Sequence, residues 1–341
     1  MPHLGTYRMF ECDTICHSLT PFHFVEAADK YNIGPRLKIY ARRFNQKVVT
    51  LDELVDDSKA VVFLIIRNDT VIYENYKAGF NRNSIVTSFS VAKSYVSAMT
   101  GIAIDEGFIK SENQPITDFF PELLKKDPRF AAIKLYHLLK HTSGLKYQSV
   151  MGLYYGTNLA GFVDNIKVKC PPGQRFYYDN GNTELLGLIV EKATGMKLGK
   201  YLQEKIWKKI GTESDFTWSI DNKKNNIIKS FCCLNGQARD FAKFGRLYMN
   251  KGKWDNEQVV SERWVRESTK LDTTAGSLLT NQYFWWIGPR EYGSFFAGGL
   301  YGQFIYVYPK KNMMIIRFAE RNFSPDYYWY SIIFPQIMDQ L

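Results

Sequence analysis

The chain has 341 residues, of which 45% are hydrophobic and 23% are charged, a composition typical of a globular protein with a large core. Its net charge of +10 comes from basic residues scattered along the chain, so no nucleic-acid-binding surface is expected. The longest apolar run, residues 61–66, is too short to span a bilayer. We therefore expect that the protein neither binds nucleic acid nor spans a membrane.

The first residues lack the charged and apolar regions of a signal peptide. We expect a periplasmic or secreted protein if a leader has been removed, and a cytoplasmic one otherwise. The five cysteines, which include the adjacent pair Cys232-Cys233, match neither a metal-binding spacing nor an obvious disulfide framework. Their odd number implies at least one free thiol, and no pattern indicates an oligomeric state.

Apolar patterns predict a β-hairpin near each end of the chain and helices between them. The first hairpin covers residues 60–77, and the second joins strands over residues 303–308 and 313–318. Helical spacing in the middle of the chain is found over residues 182–194, 198–210 and 238–249.

A last helix is predicted to begin at residues 324–325 and to bend or end early at Pro335. Together these elements predict an α+β fold. We expect a sheet domain formed by residues 1–89 and 276–341. Residues 90–275 would form an inserted, mostly helical domain, with the active site at the interface.

The segment Ser90-Val91-Ala92-Lys93 places a serine and a lysine three positions apart on a predicted helix, where they share one face. In the first turn of the helix, the amide of Ser90 would be unpaired and available to an oxyanion. A second match, from Ser143 to Lys146, contains a glycine that argues against a helix, so we interpret it as a chance occurrence.

A nucleophilic serine needs a proton acceptor, and an ordinary lysine is protonated at neutral pH because its pKa is about 10.4. Burial could lower the pKa of Lys93; alternatively, a charged lysine could stabilise a tyrosine anion. Tyr178 is a candidate for that tyrosine, because it lies on a loop before a predicted helix. Asn180 would project into the same cleft and bind the substrate or the lysine.

A glycine-rich segment, Ala297-Gly298-Gly299, enters the last hairpin. Glycines here would let a substrate carbonyl approach the backbone, so that the N–H of Leu300 becomes the second donor of an oxyanion hole. The alternative is a bulge or bend in an edge strand.

The serine–lysine segment, the tyrosine–asparagine segment and the glycine-rich segment follow one another along the chain. Their order resembles that of the serine β-lactamase-like superfamily, in particular the branch of class C β-lactamases, esterases, D-amino-acid peptidases and 6-aminohexanoate-dimer hydrolases. Residues 137–145 are similar to the family's His-Thr-Ser-Gly-Leu box, and residues 239–245 resemble a later family helix. The resemblance covers roughly residues 58–320. It implies a β-lactamase/transpeptidase-like fold, with an antiparallel sheet from both chain ends flanked by helices.

The resemblance also implies a role for each site residue. Ser90 would be the acyl-enzyme nucleophile, Lys93 a proton shuttle, and Tyr178 the general base and then the general acid. Asn180 would orient the substrate. The backbone N–H groups of Ser90 and Leu300 would form the oxyanion hole.

One departure from the family affects the expected substrate. Where lactamases carry Lys-Thr-Gly, this chain has Ala297-Gly298-Gly299, so the cation that helps to hold a β-lactam carboxylate is missing. We therefore expect a cofactor-free serine hydrolase that acts on a small ester or amide, an esterase or an enzyme like the aminohexanoate-dimer hydrolases. The alternatives are a β-lactamase, a D-amino-acid peptidase or a weakly catalytic receptor of the penicillin-binding type.

Two other kinds of site are not supported by the sequence. His137 and His141 stand four apart on a predicted helix and could share a zinc ion, but no third ligand is evident, so we interpret them as packing residues and expect no metal. No G-x-S-x-G segment is present, which argues against an α/β-hydrolase triad.

Overall fold

The structure is a computed structural model that describes residues 2–29, 32–41, 47–147, 149–321 and 326–341. In chain order, its strands are β1 (Cys12–Ile15), β2 (Val25–Glu26), β3 (Lys38–Ala41), β4 (Lys47–Thr50), β5 (Ala60–Arg67), β6 (Thr70–Tyr76), β7 (Ile85–Thr87), β8 (Leu145–Lys146), β9 (Lys167–Val168), β10 (Phe216–Ser219), β11 (Leu234–Gln237), β12 (Lys253–Trp254), β13 (Glu257–Gln258), β14 (Asn281–Gln282), β15 (Trp285–Ile287), β16 (Phe295–Gly299), β17 (Gln303–Tyr308) and β18 (Met313–Ala319).

The α-helices of the same residues are α1 (Ile33–Arg36), α2 (Leu51–Asp57), α3 (Ala92–Asp105), α4 (Glu122–Lys126), α5 (Leu135–Leu139), α6 (Val150–Tyr155), α7 (Asn180–Thr194), α8 (Leu198–Leu202), α9 (Ala238–Met249), α10 (Glu262–Ser268), α11 (Asp326–Tyr328) and α12 (Phe334–Gln340). Short π-helical segments follow α8 and join α11 to α12. Across the described residues, no helix combines the length and the apolar character that crossing a membrane requires.

The central element is an eight-stranded sheet built from both ends of the chain. Its strand order is β14-β15-β16-β17-β18-β5-β6-β2, and neighbouring strands are antiparallel except for the parallel pair β2 and β6. Both predicted hairpins are confirmed, as β5–β6 and β17–β18. The mixed α+β class is therefore confirmed, whereas the domain boundaries at residues 89/90 and 275/276 stay predictions.

Strand β5 is buried on both faces. Val62 and Leu64 belong to the large core that also contains α3 and α9, while Phe63 and Ile65 point to the opposite face, where they join a second core with Phe334. Successive side chains of a strand alternate between faces, so an unbroken apolar run is what a doubly covered strand requires. The sheet is thus fixed between two layers of helices.

Helix α3 runs through the interior, and its residues from Ala92 to Ala103 are all buried. Close packing explains its small residues: a Cβ on Gly101 would lie 2.4 Å from the Cγ atom of Trp264. The 3₁₀ turn Phe89–Val91, which leads into α3, lies against β16 and β17. This rigid contact fixes the position of the residues that lead into the helix.

The C-terminal helix differs from its prediction in one respect. The expected start at residues 324–325 lies outside the described residues. Pro335 does not end the helix, which continues to Gln340. Because Pro335 is the second residue of α12, just after the π-helical segment Trp329–Ile333, the hydrogen bond that a proline cannot donate is lost where the helix is already irregular.

Candidate active site

Ser90 and Lys93 lie side by side at the start of α3. Ser90 belongs to a 3₁₀ turn, Phe89–Val91, that leads directly into the helix, rather than to the first α-helical turn that we expected. The Nζ atom of Lys93 donates a hydrogen bond to Oγ of Ser90 at 2.9 Å and a second one to the carbonyl oxygen of Phe231 at 2.9 Å. The amine is therefore within proton-transfer distance of the hydroxyl.

The turn before Ser90 has an unusual backbone. Phe89 has a φ of +42°, a conformation that costs a non-glycine residue about 1–3 kcal/mol and that is common at functional sites. Its ring is buried and packs edge-on against Tyr301, with the ring centroids 5.7 Å apart. Phe89 and Val91 are buried on either side of Ser90, so the turn presents this one side chain to the cleft.

The surroundings of Lys93 favour its neutral form. Burial lowers the pKa of Lys93 to about 7, and the nearby carboxylate of Asp179 partly opposes this shift. The Nζ atom also lies 5.0 Å from the centroid of the Tyr178 ring. Near pH 7, a large fraction of Lys93 is therefore able to accept a proton.

Tyr178 lies on the loop before α7 and reaches the same point from the opposite side. Its hydroxyl contacts the side chain of Ser90, and burial raises the pKa of Tyr178 to about 12, which the Ser90 contact partly offsets. The residue is nevertheless 37% exposed, so part of its ring faces the open cleft. Its hydroxyl therefore stays protonated at neutral pH.

Asn180 is the first residue of α7, and Asp179 is the N-cap. The Asp179 carboxylate accepts a hydrogen bond from the N–H of Gly181 at 2.8 Å, while burial raises its pKa and the charge of Lys93 lowers it. Asn180 lines a cavity together with Ser90 and Tyr178. Its side chain therefore borders the space that a substrate at Ser90 would occupy.

The glycine-rich strand approaches Ser90 closely. A Cβ on Gly299 would lie 2.5 Å from the carbonyl oxygen of Ser88 and 3.2 Å from the amide nitrogen of Ser90, so a side chain does not fit there. The β16–β17 ladder runs to Gly299 without a change of register, which shows that the alternative of a bulge is wrong. Leu300 follows in the turn and is 42% exposed.

Ser90 and Leu300 line the same two cavities, and neither donates its backbone N–H to a loop, turn or cap carbonyl among the described residues. An oxyanion hole needs two such donors beside the nucleophile. The predicted use of the Ser90 and Leu300 amides as an oxyanion hole stays a prediction.

Two cavities meet at Ser90. Ser90, Tyr178 and Leu300 line both of them. The first has a volume of about 360 Å³ and is otherwise lined by Trp286, Phe296, Gly298, Gly299, Phe304, Asp326, Tyr327 and Tyr330. The second has a volume of about 220 Å³ and is otherwise lined by Pro2, Phe89, Val150, Met151, Tyr154, Asn180, Phe231 and Cys232. Neither set of described lining residues contains a lysine or an arginine.

The second serine–lysine segment is built differently. Gly144 has a φ of +67°, and Leu145–Lys146 forms β8, so the structure confirms that no helix spans the segment. Oγ of Ser143 donates a hydrogen bond to Oδ1 of Asn182 at 2.6 Å. Lys146 is exposed and borders a separate cavity of about 330 Å³ that Ser90 does not line.

The two histidines do not share a helix, contrary to our expectation. Helix α5 ends at Leu139, and His141 lies beyond it with a φ of +54°. His137 accepts a hydrogen bond from the N–H of Lys134 through Nδ1 at 3.0 Å, and burial lowers its pKa to about 4. No cluster of metal-binding side chains occurs within the described ranges.

His141 is a site residue that sequence reasoning missed. Its ring packs against Tyr178, with the centroids 4.5 Å apart, and the charge of Lys93 acts on it. The only signal was its place in the His-Thr-Ser-Gly-Leu box. A disulfide between Cys232 and Cys233 was missed as well; it follows Phe231, the residue whose carbonyl holds Lys93. Cys12, Cys16 and Cys170 are free thiols, which fits the odd count.

Comparison with known proteins places this site in a family. The Beta-lactamase family model matches residues 50–329. A 6-aminohexanoate-dimer hydrolase of Paenarthrobacter ureafaciens is 24% identical over 315 residues, which cover 83% of this chain and 78% of that protein. A solved structure from Bacillus anthracis, provisionally named a 6-aminohexanoate-dimer hydrolase, superposes with a TM-score of 0.85 at 24% identity and covers 99% of this chain and 92% of that one.

A class C β-lactamase structure superposes with a TM-score of 0.67 at 15% identity and covers 85% of this chain and 94% of the other. These likenesses confirm the β-lactamase-like fold that the sequence predicted. Because the family model spans most of the chain, the protein belongs to the β-lactamase family.

Proposed function

We propose that the protein is a serine hydrolase that cleaves small ester or amide bonds through an acyl-enzyme on Ser90. The observation that carries this proposal is the 2.9 Å contact between Oγ of Ser90 and the buried amine of Lys93, whose pKa is lowered to about 7. A neutral amine at this distance can remove the hydroxyl proton as the oxygen attacks a carbonyl carbon.

In the acylation step, Oγ of Ser90 bonds to the substrate carbonyl carbon while its proton moves to Nζ of Lys93. The carbonyl oxygen becomes an oxyanion, which the amides of Ser90 and Leu300 would bind. The bond to the leaving group then breaks, and the leaving oxygen or nitrogen takes the proton from Lys93 through the hydroxyl of Tyr178. In deacylation, water would attack the acyl carbon and give its proton to Lys93 through Tyr178. Lys93 would then return a proton to Oγ of Ser90 as the acyl group leaves.

This assignment gives Tyr178 a different first role from the one that the family resemblance implies. A general base must hold a free electron pair at the working pH, and the pKa of about 12 keeps the phenol of Tyr178 protonated. Lys93, with a pKa of about 7, is the better acceptor. Tyr178 would then pass a proton to the leaving group, which requires a protonated hydroxyl in contact with the nucleophile.

The two cavities at Ser90 support a substrate with a compact apolar group on each side of the scissile bond. The described lining residues include no lysine or arginine, so a β-lactam or a D-peptide carboxylate would lack a counter-charge from them. Neutral esters and linear amides fit this lining better. The names of the two relatives, 6-aminohexanoate-dimer hydrolases, support a linear amide as the scissile bond. A 6-aminohexanoate dimer carries a carboxylate of its own, so we propose the linear-amide class and not that compound.

A second candidate is a weakly catalytic receptor of the penicillin-binding type on the same fold, because fold alone does not set function. A fluorophosphonate probe separates the two. Rapid labelling of Ser90, with turnover of a p-nitrophenyl butyrate ester, supports the hydrolase. A folded protein that neither reacts with the probe nor turns over esters and linear amides would support the receptor.

The substrate class can be read from the mass of the intact protein after incubation with neutral esters, linear amides, D-peptides and penicillins. We expect an acyl adduct on Ser90 with the first two classes and its loss with time. A long-lived penicillin adduct with no ester turnover would instead favour the receptor.

A further inference from the structure

We propose that His141 is a positioning residue that holds Tyr178 in place for proton transfer, an inference that rests on the proposed function. His141 contacts the backbone on both sides of Tyr178. Its carbonyl oxygen accepts a hydrogen bond from the N–H of Tyr177 at 2.8 Å, and its Nδ1 atom accepts one from the N–H of Asp179 at 3.4 Å. The residue between these two bonds is the one that must meet Ser90.

The rings add a third contact. The His141 imidazole lies against the Tyr178 ring, with a centroid distance of 4.5 Å, and against Phe284 on another side, at 4.9 Å. Trp286 stacks on Tyr178 with a centroid distance of 6.2 Å. Tyr178 thus has an aromatic neighbour besides His141, but His141 accepts both backbone hydrogen bonds that flank Tyr178, from Tyr177 to its carbonyl oxygen and from Asp179 to its ring.

The hydrogen bonds of Asn182 fix the tautomer of His141. Oδ1 of Asn182 accepts hydrogen bonds from the hydroxyls of Ser143 and Tyr147, at 2.6 and 2.9 Å. The amide nitrogen of Asn182 is therefore the atom that faces Nδ1 of His141, at 3.2 Å. Since Nδ1 accepts from both this amide and the N–H of Asp179, the ring proton is on Nε2.

His141 is also electrically neutral at neutral pH. It is only 1% exposed, and both burial and the nearby Lys93 hold its pKa well below the ordinary value of 6.5. A cation here would oppose the protonation of Lys93. A neutral ring instead supports the Tyr178 ring and accepts the hydrogen bond from the N–H of Asp179. It does not compete for the transferred proton.

The backbone of His141 has the shape that this contact needs. The residue follows the end of α5 and has a φ of +54°, which turns the chain so that its carbonyl and its ring both face the Tyr178 loop. Asparagine tolerates such a φ better than most residues, and its Oδ1 can take the place of Nδ1 as an acceptor. His141→Asn is therefore the conservative variant.

The experiment compares three variants by the rate of Ser90 acylation and by steady-state kinetics with p-nitrophenyl butyrate. We expect His141→Leu to lower kcat by about 10- to 100-fold with little change in KM, because a displaced proton donor costs rate rather than binding. His141→Asn should recover most of that loss. His137→Gln, a change in the other buried histidine, should lower Tm and leave kcat nearly unchanged.

A double-mutant cycle with Tyr178→Phe measures the coupling between the two residues in kcat. A purely structural role of His141 would give no such coupling. If His141 acts through Tyr178, His141→Leu should cost no more than about twofold in the Tyr178→Phe background. The same loss in both backgrounds, or full activity of a folded His141→Leu protein, would overturn the proposal. If His141→Leu does not fold, His141→Gln is used in the same cycle, since it keeps a polar side chain without the ring.

The proposed function can fail separately. If Ser90→Ala keeps its activity, Ser90 is not the nucleophile and the role of His141 loses its basis. If Ser90→Ala is inactive while the cycle shows no coupling, only the inference about His141 is wrong.

Discussion

Two segments of this chain share the spacing serine-x-x-lysine, and the structure makes one a candidate catalytic pair and the other a piece of scaffold. From Ser90 to Lys93 the backbone passes from a 3₁₀ turn into a helix, so the two side chains touch. From Ser143 to Lys146 it passes through a left-handed glycine into a short strand. The motif acquires chemical meaning only from the backbone that carries it.

Burial separates the two lysines further. Lys93 is 2% exposed and has its pKa lowered to about 7, whereas Lys146 is exposed to solvent. A buried amine can act as a base near neutral pH because the charged form has lost its hydration. Of the two serines, only Ser90 therefore has a suitable proton acceptor beside it.

The largest expected effect comes from the serines. Ser90→Ala should lower kcat/KM for p-nitrophenyl butyrate by about 10³-fold or more, because it removes the proposed nucleophile of the catalytic unit. Ser143→Ala should change kcat/KM by no more than a few-fold and lower Tm, because it breaks a buried hydrogen bond. Equal losses in both variants would contradict the distinction between the segments.

The lysines should differ almost as much. Lys93→Met should lower kcat/KM by about 10²- to 10⁴-fold, the range typical of a lost general base. Lys146→Met should keep full activity, because Lys146 is exposed and lines neither of the two cavities at Ser90. Loss of an exposed side chain also changes stability little. Retained activity in a folded Lys93→Met protein would exclude the amine as the base.

Lys93→Met also has a stability signature. The pKa of Lys93 falls from 10.5 in the unfolded chain to about 7 in the fold, so the unfolded chain binds more protons between these values. Burial of Lys93 therefore costs increasing stability as the pH falls from 10.5 to 7. We therefore expect the difference in Tm between Lys93→Met and the wild type to increase as the pH is lowered from 10.5 to 7. Thermal melts at several pH values measure this difference, and Lys146→Met is the control, for which it should not change with pH.

The glycines of the two regions give the next contrast. Gly299→Ala should lower kcat by about 10²-fold, because a Cβ 2.5 Å from the Ser88 carbonyl must displace the strand from the Ser90 amide. Gly144→Ala should mainly lower Tm, because its φ is +67° and a Cβ would lie 2.2 Å from the Cys170 carbonyl. Steady-state kinetics and thermal melts of both variants test whether Gly299 mainly affects kcat and Gly144 mainly affects Tm. A loss of kcat in Gly144→Ala but not in Gly299→Ala would contradict this expectation.

The smallest expected effect is a shift in the pH profile. The activity should fall about tenfold per pH unit as the pH drops below about 7, when the Lys93–Tyr178 pair takes up a proton. The Asp179 carboxylate raises the pKa of Lys93, so Asp179→Asn should move this fall to lower pH while keeping a good helix N-cap. A shift to higher pH would show that another group controls the profile.

Local patterns were enough to predict the hairpins and the three candidate site segments. Strand β5 is a continuous apolar run, and Ser90 and Lys93 are joined by a single turn, so neither prediction depends on distant parts of the chain. The position of Tyr178 next to Ser90 was predicted only through the resemblance to the family. Contact between two segments nearly 90 residues apart is not visible in either segment alone.

Other features of the site could not be read from the sequence. The end of α5 at Leu139 places His141 off the helix, and the helical spacing of the two histidines gave no hint of this. The disulfide of the adjacent pair Cys232–Cys233 has no spacing pattern to reveal it. The lowered pKa of Lys93 comes from burial by side chains of several elements, a property of the assembled core.

The pairing of β5 with β18 has a consequence for how the chain folds. Ile65 pairs with Ile315, which follows it by 250 residues. A ribosome that adds about 5–20 residues per second needs about 10–50 s to synthesise that stretch. Throughout this interval the hairpin of β5 and β6 presents an open apolar edge, the kind of surface that pairs with other nascent chains. Because every residue of β18 is buried, substitutions in this strand are expected to lower the yield of folded protein as well as its stability.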